Sequence, residues 1–243
     1  MRRPIYDPRT VAREIPGLFD SIFPQLTPGV VAHYNRRATK ADLNPVTLEM
    51  VNQSALPKAM LFEIAYAYGE ALVSGQAPDW NDCINLAVTR QLRHFDARKP
   101  KQIESIDYHI ARIVGENMAT MLARISDEML ESIVPAPFVP GFQWISSGNG
   151  DFSAGSTLIE VKCTSRNFSA SDFPQVVLYW LLSFSHSLEH GSRAWDKFVL
   201  VNPALGSLLE VNMDDFLDVI AAGRAKVDIV ELFCQLVGDR RQR

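Results

Sequence analysis

The chain has 243 residues, 47% of them hydrophobic and 21% charged, enough to bury one sizeable core with an appended subdomain and too apolar for a disordered polymer. Its formal net charge of −4 excludes a protein that clings to nucleic acid by its whole surface, so any such binding has to be local. No apolar run approaches the roughly 18 residues of a bilayer span, and Met1-Arg-Arg-Pro lacks the apolar segment of a secretory signal; a cytoplasmic protein without a membrane partner is expected.

Residues 1–100 read as a helical N-terminal region. Helical character runs over 11–23, 45–51, 56–73 and 79–95, broken at Pro24, Pro28-Gly29 and Gly75. No catalytic constellation stands out there, and gating a substrate, contacting a partner protein and forming a homo-oligomer are all open roles. From 101 to 243 helices alternate with strands. Over 104–125, Ile106, Ile110, Ile113, Val114, Met118, Met121 and Leu122 form an apolar stripe of helical period. After Pro135-Ala-Pro137, 138–147 reads as a first strand, and a hairpin from Asp151 through Gly155 leads into a strand at Thr157. Asp172-Phe-Pro-Gln175 has the form of a helix start, with a capping acid and proline in the first turn before the apolar run 176–184. Strands follow at 197–201, stopped by Asn202-Pro203, and at 207–211; helices over 212–222 and 227–237 close the chain.

The most informative segment is Asp151, eight residues, then Glu160-Val161-Lys162. Successive side chains of a strand point to opposite faces, so Glu160 and Lys162 share one face roughly 7 Å apart while Ile159, Val161 and Cys163 share the other. Asn149-Gly150-Asp151 reads as a turn in which glycine tolerates unusual dihedrals, and the hairpin returns Asp151 beside Glu160. Two converging carboxylates raise each other's pKa unless a divalent cation neutralises them, and an all-oxygen site suits Mg²⁺ or Mn²⁺. Such a metal acidifies a water and polarises a phosphoryl oxygen, with Lys162 beside it to orient the nucleophile or meet developing charge. The plain alternative is a solvated Glu-x-Lys pair on an exposed strand.

Gly150-Asp151, Glu160-Val161-Lys162 and the following Gln175-Val-Val-Leu-Tyr179 resemble the core of the PD-(D/E)XK nuclease superfamily, in its branch with a QxxxY motif, the lambda-exonuclease-like and RecB-like nucleases. The resemblance covers about residues 104 to 202, with Gly150 where the family name has proline. It implies an α/β fold: a restriction-endonuclease-like α-β-β-β-α-β core with a mixed four-stranded sheet flanked by helices, here with the helical N-terminal region added. It also implies Asp151 and Glu160 as ligands of Mg²⁺, with Mn²⁺ as a substitute, Lys162 as the catalytic lysine, and Gln175 and Tyr179 as supports of the site. A glutamate of the first core helix completes the metal site in many members, and Glu116, behind Gly115, is the candidate here; a solvated helix glutamate is the alternative. Gln175 also stands where a capping box on Asp172 would place it, so a structural role is equally open. Tyr179 lies on the same helix face, continued by Ser183 and His186, and a buried hydroxyl satisfied within the core is its ordinary alternative. His186 reads as a helix-surface residue.

The expected function is therefore a Mg²⁺-dependent nuclease acting on nucleic acid, DNA before RNA. A catalytically silent nuclease fold serving a restriction or phage-defence assembly is the rival. Arg36-Arg37 with Lys40, the 90–98 segment with Arg93 and His94, Lys99 with Lys101, and the tail Arg240-Arg241-Gln-Arg243 are the basic segments available to phosphates, and Arg166, just past Lys162, is the one expected nearest the substrate. Cys83, Cys163 and Cys234, few and widely spaced, suggest neither a disulfide framework nor an iron-sulfur cluster.

Overall fold

The computed structural model describes residues 6–14, 17–92, 100 and 102–239. Its elements in chain order are α1 (Pro8–Glu14), α2 (Leu18–Ile22), α3 (Pro28–Arg37), β1 (Thr39–Lys40), α4 (Leu48–Gln53), α5 (Lys58–Val73), α6 (Trp80–Gln91), α7 (Ser105–Met129), β2 (Ile133–Pro135), β3 (Phe138–Val139), β4 (Gly148–Asn149), β5 (Phe152–Ala154), β6 (Thr157–Val161), α8 (Phe173–His190), β7 (Lys197–Asn202), β8 (Ser207–Asn212), α9 (Met213–Ile220) and α10 (Lys226–Asp239). Six strands form one mixed sheet in the order β1-β8-β7-β6-β5-β2, and β3 with β4 forms a separate pair. The four-stranded sheet of the sequence reading is thus too small. β8 pairs antiparallel with β7, and β1, from the N-terminal region, extends that edge. No helix among the described residues is long and apolar enough to cross a membrane.

Local chemistry explains where the expected elements hold and where they shift. Where the sequence predicts one helix over 11–23 there are two, and Gly17, at φ +81, stands at the start of α2. Pro28 does not break a helix but begins α3: Thr27 caps it, its Oγ1 accepting from the Val30 N–H at 3.4 Å, and proline at the first helical position forfeits no bond. After α7 the first strand of the sheet is Ile133–Pro135, which includes Pro135, whereas over 138–147 only Phe138–Val139 is strand, paired with β4 apart from the main sheet. β2 pairs antiparallel with β5 at the sheet edge, where a proline's missing N–H is tolerated.

The β5–β6 hairpin turns through Gly155 and Ser156, with Gly155 at φ +53 as a two-residue loop requires. β6 lies in the middle of the sheet, antiparallel to β5 and parallel to β7, with α8 as the crossover between the parallel pair. Both its faces are covered, and all five residues are buried. Ile159 and Val161 pack with Val199, Val201, Met118, Met121 and Leu122 beneath α7, while Leu158 packs with Phe198, Leu200 and the apolar body of α8 on the other face. Val11 of α1, Leu18 and Ile22 of α2, and Val31 and Tyr34 of α3 belong to that second cluster. The N-terminal region therefore shares the core of the 101–243 region and lends it a strand.

On the α7 side, α5 lies against α7 with glycine facing glycine. A Cβ at Gly115 would come within 2.7 Å of the Tyr68 ring and 3.0 Å of the Ala65 oxygen and Gly69 nitrogen. Gly115→Ala gains about 1 kcal/mol of helix propensity but forces the two backbones apart, an overpacking cost of about 1–3 kcal/mol. Backbone atoms cannot swing aside, so net destabilisation of up to about 2 kcal/mol is expected in urea unfolding.

Candidate active site

Continuing the β5–β6 register one step, from Phe152 opposite Ile159, sets Asp151 across from Glu160. The linker that delivers Asp151 bends at that residue and is tied to the neighbouring segment, the Gly150 N–H donating to the Pro137 oxygen at 2.9 Å and the Ala136 N–H to the Asp151 oxygen at 2.9 Å. Glycine at 150 allows a close approach, since a Cβ there would lie 3.0 Å from the Leu158 side chain and 3.2 Å from that of Pro137. Asp151 is 9% exposed, and its Oδ2 accepts from the Val161 N–H at 2.9 Å.

Glu160 is 2% exposed in the centre of the sheet. Its Oε1 accepts from Lys162 Nζ at 3.1 Å and from Gln175 Nε2 at 2.6 Å. Its Oε2 is buried without a hydrogen-bond partner, and the Asp151 carboxyl is close enough for its charge to act on this glutamate. Burial and then the Asp151 charge push the Glu160 carboxyl up to about 7, with Lys162 and Arg9 opposing.

Lys162 Nζ is held on a second side by Gln175 Oε1 at 2.9 Å. Gln175 Nε2 also donates to the Tyr179 hydroxyl at 3.0 Å, so one amide fixes the glutamate, the lysine and the tyrosine together. The capping alternative for Gln175 fails here: the Asp172 carboxylate turns back to the Ser169 N–H at 2.7 Å and makes no cap bond on α8. Tyr179 is buried, and burial and then the Glu160 charge hold its hydroxyl protonated, well above its ordinary range. Gln175→Ala leaves buried polar partners unmet, and a loss of about 1–3 kcal/mol in chemical unfolding is expected.

Other candidates fall elsewhere. Glu116 is exposed, because α7 turns Val114, Gly115, Met118, Met121 and Leu122 inward, and Gly115 packs against α5 instead of clearing space for a carboxylate. Among the described residues no side-chain bond joins Glu116 to Asp151 or Glu160. Arg166 is exposed on the loop after β6, where Asn202 Nδ2 holds the Thr164 and Arg166 carbonyls at 2.9 and 3.0 Å. His186 pairs with Ser192 Oγ at 3.0 Å, away from the acids. Arg90 is no free phosphate ligand: its Nη1 pairs with Glu70 at 2.7 Å and Glu63 at 3.4 Å. Residues 93–99, Lys101 and the arginines from 240 onward lie outside the described residues.

Two further features belong to the site. Arg9 on α1 donates from Nη2 to Asp151 Oδ1 at 2.5 Å and from Nε to the Tyr179 hydroxyl at 3.1 Å. On α5, Glu63, Tyr66 and Glu70 line one face around Arg90, which lies 5.4 Å from the Tyr66 ring centre. Glu70 is raised by burial, opposed by Arg90 and reinforced by the Asp151 charge, so this group belongs to the site's electrostatic surroundings. Its spacing of three and seven residues on an apolar helix is a signal that was legible; nothing near Arg9 in the sequence points to Asp151.

The donor set can be tested against a metal. Among the described residues no three His, Cys, Asp or Glu side chains converge. The two neighbouring carboxylates, one with an orphaned buried oxygen, fit a hard dication that keeps several waters, as Mg²⁺ and Mn²⁺ do. No protein-family model, curated protein or solved structure matches the chain.

Proposed function

We propose that the chain is a Mg²⁺-dependent nuclease of the PD-(D/E)XK type, hydrolysing phosphodiester bonds of nucleic acid, with DNA the favoured substrate. One observation carries the reading: a buried glutamate with an unmet oxygen faces an aspartate and is bound to a lysine that a buried glutamine locks in place. The run α7-β2-β5-β6-α8-β7 supports a restriction-endonuclease-like core, with β1, β8 and the β3–β4 pair as additions.

Asp151 and Glu160 would hold Mg²⁺ or Mn²⁺. The chemistry the ion supplies when bound is acidification of a water and polarisation of a phosphoryl oxygen. Lys162 Nζ has three donors, of which Glu160 and Gln175 engage two, leaving one to orient the attacking oxygen or meet charge on the phosphate. Gln175 prevents the lysine from collapsing fully onto Glu160, and Tyr179 prevents the amide from rotating.

The test is cleavage of linear, nicked, circular and single-stranded DNA, and of RNA, with Mg²⁺ and with chelator, by wild type and Asp151→Ala. Metal-dependent cleavage lost in the variant supports the reading. Equal activity in both sinks it; no cleavage by wild type together with no Mn²⁺ binding by calorimetry also sinks it and leaves the catalytically silent rival.

A further inference from the structure

We infer that Arg9 grips the phosphate that the site attacks, which makes it a catalytic residue supplied by the N-terminal helix; the inference rests on the nuclease reading above. Arg9 is held firmly where it is. The Asp7 carboxylate caps α1, accepting from the Thr10 N–H at 3.0 Å and the Thr10 hydroxyl at 2.6 Å. Just before it, the Tyr6 N–H donates to the Trp144 oxygen at 3.2 Å, the Ser146 N–H donates to the Tyr6 oxygen at 2.9 Å, and the Tyr6 ring meets Trp144 edge-on. α1 lies along α8, the helix that carries Gln175 and Tyr179, and Val11 is buried in their shared core.

The guanidinium has donors to spare. Of its five N–H groups one goes to Tyr179 and one to Asp151, which leaves three without a side-chain partner among the described residues, on a side chain that is 47% exposed. A planar fork with free N–H groups beside two carboxylates matches one partner chemistry above others: the paired oxygens of a phosphate placed against those acids. Charge bookkeeping points the same way. With no dication, Arg9 is paired with Asp151 and Lys162 with Glu160. A dication taking both acids frees the positive charge of Arg9 for an incoming anion, so the ion and the substrate phosphate would load together. Arg166, exposed and tied into the site by no side-chain bond among the described residues, lacks this placement.

The experiment uses the full chain and its Arg9→Met and Arg9→Lys variants, with circular dichroism to establish folding. Fluorescence anisotropy with a labelled DNA oligonucleotide in Ca²⁺ reads substrate affinity over a range of salt, and calorimetry with Mn²⁺ alone reads the metal site. For Arg9→Met the expected result is about tenfold weaker oligonucleotide binding, a log–log salt slope shallower by about one, and Mn²⁺ affinity equal to or tighter than wild type. Arg9→Lys, which keeps the charge without the fork, falls between. Unchanged oligonucleotide affinity in Arg9→Met overturns the inference and leaves the nuclease reading standing. Weaker Mn²⁺ binding in the folded variant also overturns it, because Arg9 would then be a strut for Asp151. A wild type that neither binds Mn²⁺ nor cleaves removes the nuclease reading and the inference with it. Where Arg9→Met does not fold, Arg9→Gln, uncharged but still a donor for Tyr179, takes its place with the same outcomes.

Discussion

Lys162→Ala is expected to lower Mg²⁺-supported cleavage by roughly 10²–10⁴-fold, the range over which a positioned proton-handling or charge-stabilising group contributes. Nζ is the cation bonded to Glu160, and Gln175 fixes its direction. Its loss removes the donor aimed at the reacting oxygens and raises the cost of ionising Glu160, so weaker Mn²⁺ binding accompanies the slower rate. Lys162→Arg does not restore activity, because the slot between Glu160 Oε1 and Gln175 Oε1, at 3.1 and 2.9 Å from Nζ, fits a compact ammonium and not a planar fork. Single-turnover rates at saturating metal separate the two losses. Wild-type rates in a folded Lys162→Ala protein would contradict the assigned role.

The second large effect concerns stability without metal. The Glu160 carboxyl, ordinarily near 4.5, stands at about 7 in the folded chain, so between those values the native state holds a proton that the unfolded chain has released. Stability then falls as pH rises: its full share is present below about 4.5 and lost above about 7, a change on the order of 3 kcal/mol for a shift of this size. Urea unfolding in chelator should show the midpoint dropping across this window for wild type and staying level for Glu160→Gln. Mn²⁺ should restore the wild type at about pH 8 and do little at about pH 5, because only the ionised carboxylates bind it. A level wild-type profile would remove Glu160 as the titrating group.

Whatever depends on neighbours within about ten residues was legible in the chain. The alternation over 157–161 put Glu160 and Lys162 on one face and Ile159 and Val161 on the other, and a glycine loop closed the hairpin that brings Asp151 back. Gln175 and Tyr179 fell on one face of a helix for the same reason. Ambiguity arose where one local pattern served two ends. Gln175 sits at a capping-box distance from Asp172, and only the turn of that carboxylate towards Ser169 removes the cap. Pro28 can end a helix or begin one, and the Thr27 side chain decides.

Glu116 marks the limit more sharply. Its helix, α7, was foreseen, but which face meets which neighbour depends on α5, whose Gly69 sits against Gly115 and turns Glu116 to solvent. The sheet was undercounted because β1 is two residues long and joins through pairing with Ser207 and Leu208, far along the chain.

By itself the sequence determined the acid-acid-lysine spacing, the strand face that carries it and the helix that supports it, since period and turn chemistry are properties of adjacent residues. Tertiary structure alone decided that Glu160 is buried with an unmet oxygen, that one amide ties Gln175 to Glu160, Lys162 and Tyr179, and that Arg9 reaches Asp151 across 142 positions. Burial and long-range ion pairs follow from how layers stack, and no local pattern encodes which distant helix will cover a given strand.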